Sequence, residues 1–211
     1  MREPSQHLRR SGTAAILAGL LYLPASITGH LFPGDQVPPS HELHWVSHAV
    51  TGVVSALILA SLPGIYSRWH ADAGARRIIG TIAILVVAVG AALDVTQGFL
   101  IALSEPLGGG ESSQLWNVGH ILAMGSLLFL PGAFLLGLAS WRRRLLSRAG
   151  TVSMVVSIPI AAVLGPLLDA AGFPGGDAVL AIFAGIGAAW VLWGLDLRQG
   201  ATTVWQSPRD I

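Results

Sequence analysis

Residues 77–103 read RIIGTIAILVVAVGAALDVTQGFLIAL. Behind Arg77 the run carries one ionisable residue, Asp94, and one amide, Gln97, three positions further on. A transmembrane helix needs about 20 mostly apolar residues at about 1.5 Å rise each. This run is longer than that, so it tilts or projects. An ionisable group inside such a run costs at least about 2.5–3.5 kcal/mol on insertion scales, and it faces a bundle interior with a partner. The stretch therefore sets two expectations: a membrane-spanning helix, and a polar interior around Asp94.

The rest of the chain agrees with the first. Of 211 residues, 53% are hydrophobic and 11% charged, against about 25% charged in soluble domains. Mean hydropathy is +0.65. A water-soluble fold could not cover itself with so little charge. There is no cysteine, which removes disulfides, thiolate metal sites and thiol nucleophiles. All twelve basic residues are Arg, which together with abundant Ala and Gly suggests a GC-rich, bacterial genome. No basic stripe of the kind nucleic-acid binders need is present.

Six runs are long enough to span, near 12–32, 44–65, 77–103, 115–140, 149–170 and 178–197. The charged N-terminus MREPSQHLRR is followed by a run without a clear cleavage site, so it reads as the first span and not as a removed signal. Every Arg falls in the N-terminal segment, the second–third and fourth–fifth connections, or the C-terminal tail. The other connections hold Asp35, Glu42, Glu105, Glu111 and Asp177 and no Arg. By the positive-inside rule both termini are cytoplasmic. The expected fold class is an all-α polytopic membrane protein: one six-helix transmembrane domain over 1–211 in a bacterial inner (plasma) membrane. Trp45 and Trp116 fit an outer aromatic belt, and Trp69 and Trp141 an inner one. Ser40 is the expected N-cap of the second span.

Two spans open alike, LHWVSHAVTG at 43–52 and QLWNVGHILAMG at 114–125. His48 and His120 are each followed by a Pro-Gly pair, an Arg cluster and then an acid, Asp94 or Asp169. Two readings of this echo stand. One is a hairpin repeat, 44–103 and 115–170. The other is chance likeness between Leu- and Ala-rich helices. Helical rise puts His48, His120 and Asp94 at one level in the outer third of the bilayer. Gln97, Asp169 and His30 lie slightly further out, and Asn117 at the mouth. His41, His44 and His48 share a helix face.

One shared pocket explains these polar groups with His48, Asp94 and His120 as catalytic centre and Gln97, Asn117, Trp45 and Trp116 as substrate contacts. The bland alternatives are interhelical hydrogen bonds for the histidines and a helix end for Asp169. Four chemistries suit the pocket. His44, His48, Asp94, His120 and Asp169 offer nitrogen and oxygen ligands to zinc or another divalent metal. A His–Asp pair can do acid–base work, as in isomerisation or cyclisation of an isoprenoid. Axial His48 and His120 suit a haem, although no Arg stands on that side to pair with its propionates. Intramembrane Asp and His also serve proton-coupled transport. HELHWVSH is not a metalloprotease box, because Trp45 stands where the second histidine belongs. The leading expectation is a membrane-embedded hydrolase, isomerase or cyclase acting on a lipid, isoprenoid or other apolar substrate. A transporter or haem electron carrier comes next, and a structural or accessory membrane protein is the third class.

LPGIYSRW at 62–69 and LPGAFLLGLASWRRR at 130–144 resemble a loose class of bacterial, actinobacterial-type six-span integral membrane proteins of unassigned function. The resemblance covers spans two to five and implies the six-span fold. It assigns no functional residue.

Overall fold

The computed structural model describes residues 4–31, 42–72, 77–104, 107, 114–141, 146–171 and 176–203. Within the helices, the side chains at 4–5, 23, 26–31, 42–45, 71–72, 77, 165, 168–169, 176–181 and 201–203 lie outside the description. Asp35, Ser40, His41, Glu105 and Glu111 likewise lie outside it.

Among the described residues the chain is all-helical, without a strand. The helices are α1 (Pro4–Leu31), α2 (Glu42–Asp72), α3 (Arg77–Ser104), α4 (Gln114–Ser126), α5 (Phe129–Trp141), α6 (Arg148–Ala170) and α7 (Gly176–Thr203). Among the described residues three runs are long and apolar enough to cross a membrane: Val46–His70, Ile78–Ser104 and Gln114–Trp141, the last comprising α4 and α5. Arg148–Leu164 is a shorter apolar helix.

The surface of α3 is that of a helix built for an apolar solvent. Ile78, Ile82, Leu85, Val89, Phe99 and Leu103 are exposed, while Gly80, Ala83, Gly90, Ala91, Gly98 and Ala102 are buried. Soluble helices turn their large apolar side chains inward. Membrane helices pack through small ones.

The helices pack as a closed ring in the order α1, α2, α3, α4/α5, α6, α7, with α7 returning to α1. Close approaches fix the register. On α1 and α7, Gly12 lies against Gly194 and Gly19 against Gly187. The numbers rise on one helix as they fall on the other, so the pair is antiparallel. A Cβ on Gly12 would stand 2.7 Å from the Gly194 carbonyl oxygen, and one on Gly187 would stand 2.9 Å from that of Gly19. Only glycine lets the backbones come this near, where Cα–H groups can meet carbonyls. Ser55 meets Asp94 across α2 and α3, Gly90 meets Phe129, Gly137 meets Met154, and Gly150 meets Trp193. This alternation brings Arg9, Arg10, Arg68, Arg77, Arg148 and Arg198 to one end of the bundle and His48, Gln97 and His120 towards the other. At the arginine end Arg68 donates to the Asp196 carbonyl at 3.1 Å, joining α2 to α7. Trp190 and Trp193 are fully buried and pack edge to face at 5.4 Å.

The fourth expected span is broken. Residues 127 and 128 form a turn between α4 and α5. Pro131 supplies the cause: it has no N–H, and its ring collides with the carbonyl four residues back, which is that of Leu127. That carbonyl accepts instead from Leu130 N at 3.3 Å, and Leu128 N turns back to Gly125 at 3.1 Å. Pro63, the counterpart in the echo, sits inside the unbroken α2. The two hairpins therefore differ at this point.

Candidate functional site

Inside the bundle stands the half-buried carboxyl of Asp94. It is held by side chains of two helices. Ser55 Oγ of α2 donates to Oδ2, and Gln97 Nε2, one turn along α3, donates to Oδ1 at 2.8 Å. Ser126, the last residue of α4, lines the same cavity as Asp94, and its hydroxyl donates to the Ala123 carbonyl of its own helix at 2.8 Å. The register described above makes this meeting: Gly98 lets α3 approach α2 so closely that a Cβ there would lie 2.6 Å from the His48 carbonyl oxygen. The break at 127–128 ends α4 with Ser126 beside Asp94.

Asp94 forms part of the wall of a cavity of about 290 Å³. Thr51, Ser55 and Ser126 supply the neighbouring hydroxyls, while Val54, Leu127 and Leu130 are apolar. Tyr22 of α1, Phe129 of α5 and Phe183 of α7 complete it. Their rings pack together, Tyr22 to Phe183 at 5.6 Å edge to face and Tyr22 to Phe129 at 6.1 Å. Ligand sites are mostly apolar with a few placed polar groups, and range over roughly 300–1,000 Å³. This cavity is at the small end. It suits a ring system or one short apolar chain, not a whole phospholipid.

At about 1.5 Å per residue, Asp94 lies about 24 Å from Ile78 and about 15 Å from Ser104, the ends of its apolar run. Ser126 lies about 18 Å from Gln114 by the same count. The carboxyl thus stands past the middle of that run, towards its Ser104 end.

Of the residues singled out in the sequence, Asp94 and Gln97 come together. Gln97 is buried, and its Oε1 has no partner. His48 is half-buried on α2, two turns before Ser55. His120 is exposed. Its Nδ1 lies 2.9 Å from the Trp116 carbonyl of its own helix, and its ring sits 4.5 Å from the half-buried Trp116 ring. Asn117 is exposed. Trp116, Asn117 and His120 thus form a separate group on the surface of α4. The side chains of His30, His44, Trp45 and Asp169 lie outside the described residues. Among the described residues no three His, Asp or Glu side chains gather as a metal site. His48, Asp94 and His120 therefore do not form the donor set a divalent ion would need.

The sequence reading missed Tyr22, Thr51, Ser55, Ser126, Phe129 and Phe183. Thr51 and Ser55 follow His48 at three and seven positions, on one face of α2, and that spacing was a usable signal. The aromatic residues had none, because they meet only through the register between helices.

The chain matches no protein-family model, and comparisons with curated proteins and with solved structures give no match.

Proposed function

We propose that the chain is a six-span integral membrane protein with both termini cytoplasmic, and that the Asp94 cavity is the active site of a membrane-embedded enzyme doing acid–base chemistry on an apolar substrate. The observation that carries this reading is the Asp94 carboxyl, held by Ser55 and Gln97 in a cavity otherwise walled mainly by aromatic and aliphatic side chains. Placement of the arginines at one end of the bundle supports the orientation.

A substrate with one double bond or hydroxyl group would set it against Asp94 and lay its apolar body along Tyr22, Phe129 and Phe183. Shifting a double bond adds a proton at one of its carbons and removes one from the carbon two positions away, on the far side of the cationic centre. A single carboxyl performs both transfers in turn and ends as it began. The Ser55 hydroxyl and the Gln97 amide hold it in place through the cycle. Access from the bilayer has a structural counterpart. In the half of α6 beyond Pro159, residues 159, 160, 162–164, 166, 167, 170 and 171 are all exposed. On the other flank α4 packs chiefly on α3.

The test compares membranes of cells expressing wild type, Asp94→Asn and Ser55→Ala by profiling apolar metabolites. Wild type converts one species to a product of the same or closely related mass, and Asp94→Asn leaves the precursor. Identical profiles in all three overturn the enzyme reading. Cysteines placed one at a time in the connections test the topology, with those on the arginine side labelled only from the cytoplasm.

One observation favours transport as the second reading. Discontinuous helices near mid-membrane mark many transporter sites, and the α4/α5 break lies at Asp94. Asp94-dependent flux into protein-bearing vesicles, with no product formed, would select it.

A further inference from the structure

The arginine end of the bundle holds a second cavity, of about 280 Å³, between the end of α5 and the start of α6. Ser140 and Trp141 line it from α5, Leu146 from the connection, and Arg148, Thr151 and Val152 from α6. Two of these side chains stand apart from others of their kind. Ser140 is 1% and Thr151 2% exposed, and neither hydroxyl has a hydrogen-bond partner. Several hydroxyls elsewhere in the bundle turn back to a carbonyl of their own helix, as Thr51 does to Ser47, Thr96 to Ala92 and Ser104 to Ile101, and others reach a neighbouring helix, as Ser153 does to the Gly185 carbonyl. A buried hydroxyl left unpaired costs about 1–3 kcal/mol. Two of them on facing helices, on one cavity wall, call for a common acceptor.

The described lining residues bring donors to that cavity, the hydroxyls of Ser140 and Thr151 and the guanidinium of Arg148. Arg148 is the first residue of α6 and is exposed, so its guanidinium is charged and can turn to a ligand. The α6 N-terminus itself favours an anion. Ser147 caps it, accepting from Gly150 N at 3.3 Å, which leaves the amides of Arg148 and Ala149 ahead of any acceptor within the helix. No carboxylate is among the lining residues. Two hydroxyls, a guanidinium and a helix N-terminus match the several acceptor oxygens of a phosphate. The remaining wall is apolar, from Trp141, Leu146 and Val152, with Trp141 51% exposed. That combination suits a phosphate carried on an apolar body better than a free ion.

We propose that this cavity binds a phosphate group through Ser140, Arg148 and Thr151, separately from the Asp94 site. A phospholipid headgroup and a free phosphate share this chemistry, so the experiment takes both. The lipid arm rests on the membrane-spanning reading, and the phosphate arm does not.

Full-length protein is reconstituted in phosphatidylcholine nanodiscs with and without a minor fraction of phosphatidylglycerol. Native mass spectrometry then reads which lipid stays bound. In parallel, detergent-solubilised protein is titrated with inorganic phosphate and its thermal unfolding followed. Wild type is expected to retain phosphatidylglycerol over phosphatidylcholine, and Arg148→Gln to weaken that preference roughly tenfold or more. Thr151→Val is expected to keep or raise Tm without the anionic lipid, since it removes an unpaired hydroxyl, and to lose the rise in Tm that the lipid gives wild type. Stabilisation by inorganic phosphate that Arg148→Gln abolishes, without lipid preference, would assign the site to free phosphate and support the proposal. No lipid preference and no phosphate effect would overturn it, as would wild-type behaviour in both variants. Failure to enter nanodiscs would count against the membrane reading, and the phosphate titration would still decide the site.

Discussion

Remove the Ser55 hydroxyl and leave Asp94 in place, and the bundle keeps a half-buried carboxyl with one donor fewer. Ser55 itself is 3% exposed. The size of the effect separates two accounts of this contact. Neutral interhelical hydrogen bonds in membrane proteins average about 0.6 kcal/mol, with a maximum near 1.7. A bond whose loss leaves a carboxyl-centred network short of a donor is worth about 1.5–3 kcal/mol. Ser55→Ala is therefore expected to cost about 1.5–3 kcal/mol. Combining it with Asp94→Leu removes the group left unsatisfied, so the double variant should lose less than the sum of the singles. The coupling should be about 1.5 kcal/mol or more. Four proteins suffice: wild type, the two singles and the double, unfolded by SDS in mixed micelles and followed by far-ultraviolet circular dichroism. Strict additivity, with coupling below about 0.5 kcal/mol, would mean that Ser55 does not hold Asp94, and the reasoning about the cavity would fail with it.

Three further outcomes follow from the same geometry. Gly19→Leu puts a side chain into the Gly187 backbone carbonyl and should cost at least about 1–3 kcal/mol in the same SDS assay, whereas Ala92→Leu on the exposed face of α3 should be near neutral; equal effects would contradict the α1–α7 packing. Pro131→Ala restores an amide opposite the Leu127 carbonyl, so Tm should rise while substrate conversion falls as Ser126 shifts; a lower Tm would show that the break is held by something other than the proline. His120→Ala removes an exposed ring that bonds within its own helix, and conversion should stay within about twofold of wild type; a tenfold loss would return His120 to the site.

The helical architecture was legible because it is a property of single runs. Apolar length and the one-sided arginines need no knowledge of how helices meet, and the expected runs 77–103 and 115–140 fall on α3 and on α4 with α5. Asp94 and Gln97 were legible for the same reason: a carboxyl and an amide one turn apart in a greasy run must face something polar. Their partners were not. Ser55 and Ser126 resemble any serine in a membrane helix, and only register brings them to Asp94. For the histidines, level along the helix was legible and direction was not. His48 and His120 lie near the level of Gly98, but level is one coordinate and direction another. His120 projects from the outside of α4 towards Trp116. The break before Pro131 was half-legible, since the Pro-Gly pair marked a kink, yet the equivalent pair at Pro63 leaves α2 continuous.

The account stands or falls on whether the space around Asp94 is a polar, reachable cavity inside the bundle. The chain has no cysteine, so single thiols can be placed without background. Ser126→Cys and Thr51→Cys line the cavity, while Val89→Cys faces outward from α3. Thiols react as thiolates and so need a polar surrounding. Measured with N-ethylmaleimide in native membranes, the two cavity thiols should label readily and Val89→Cys should not. Apolar molecules that fill the cavity should slow the first two alone. Equal, slow labelling at all three positions would show that no such cavity exists.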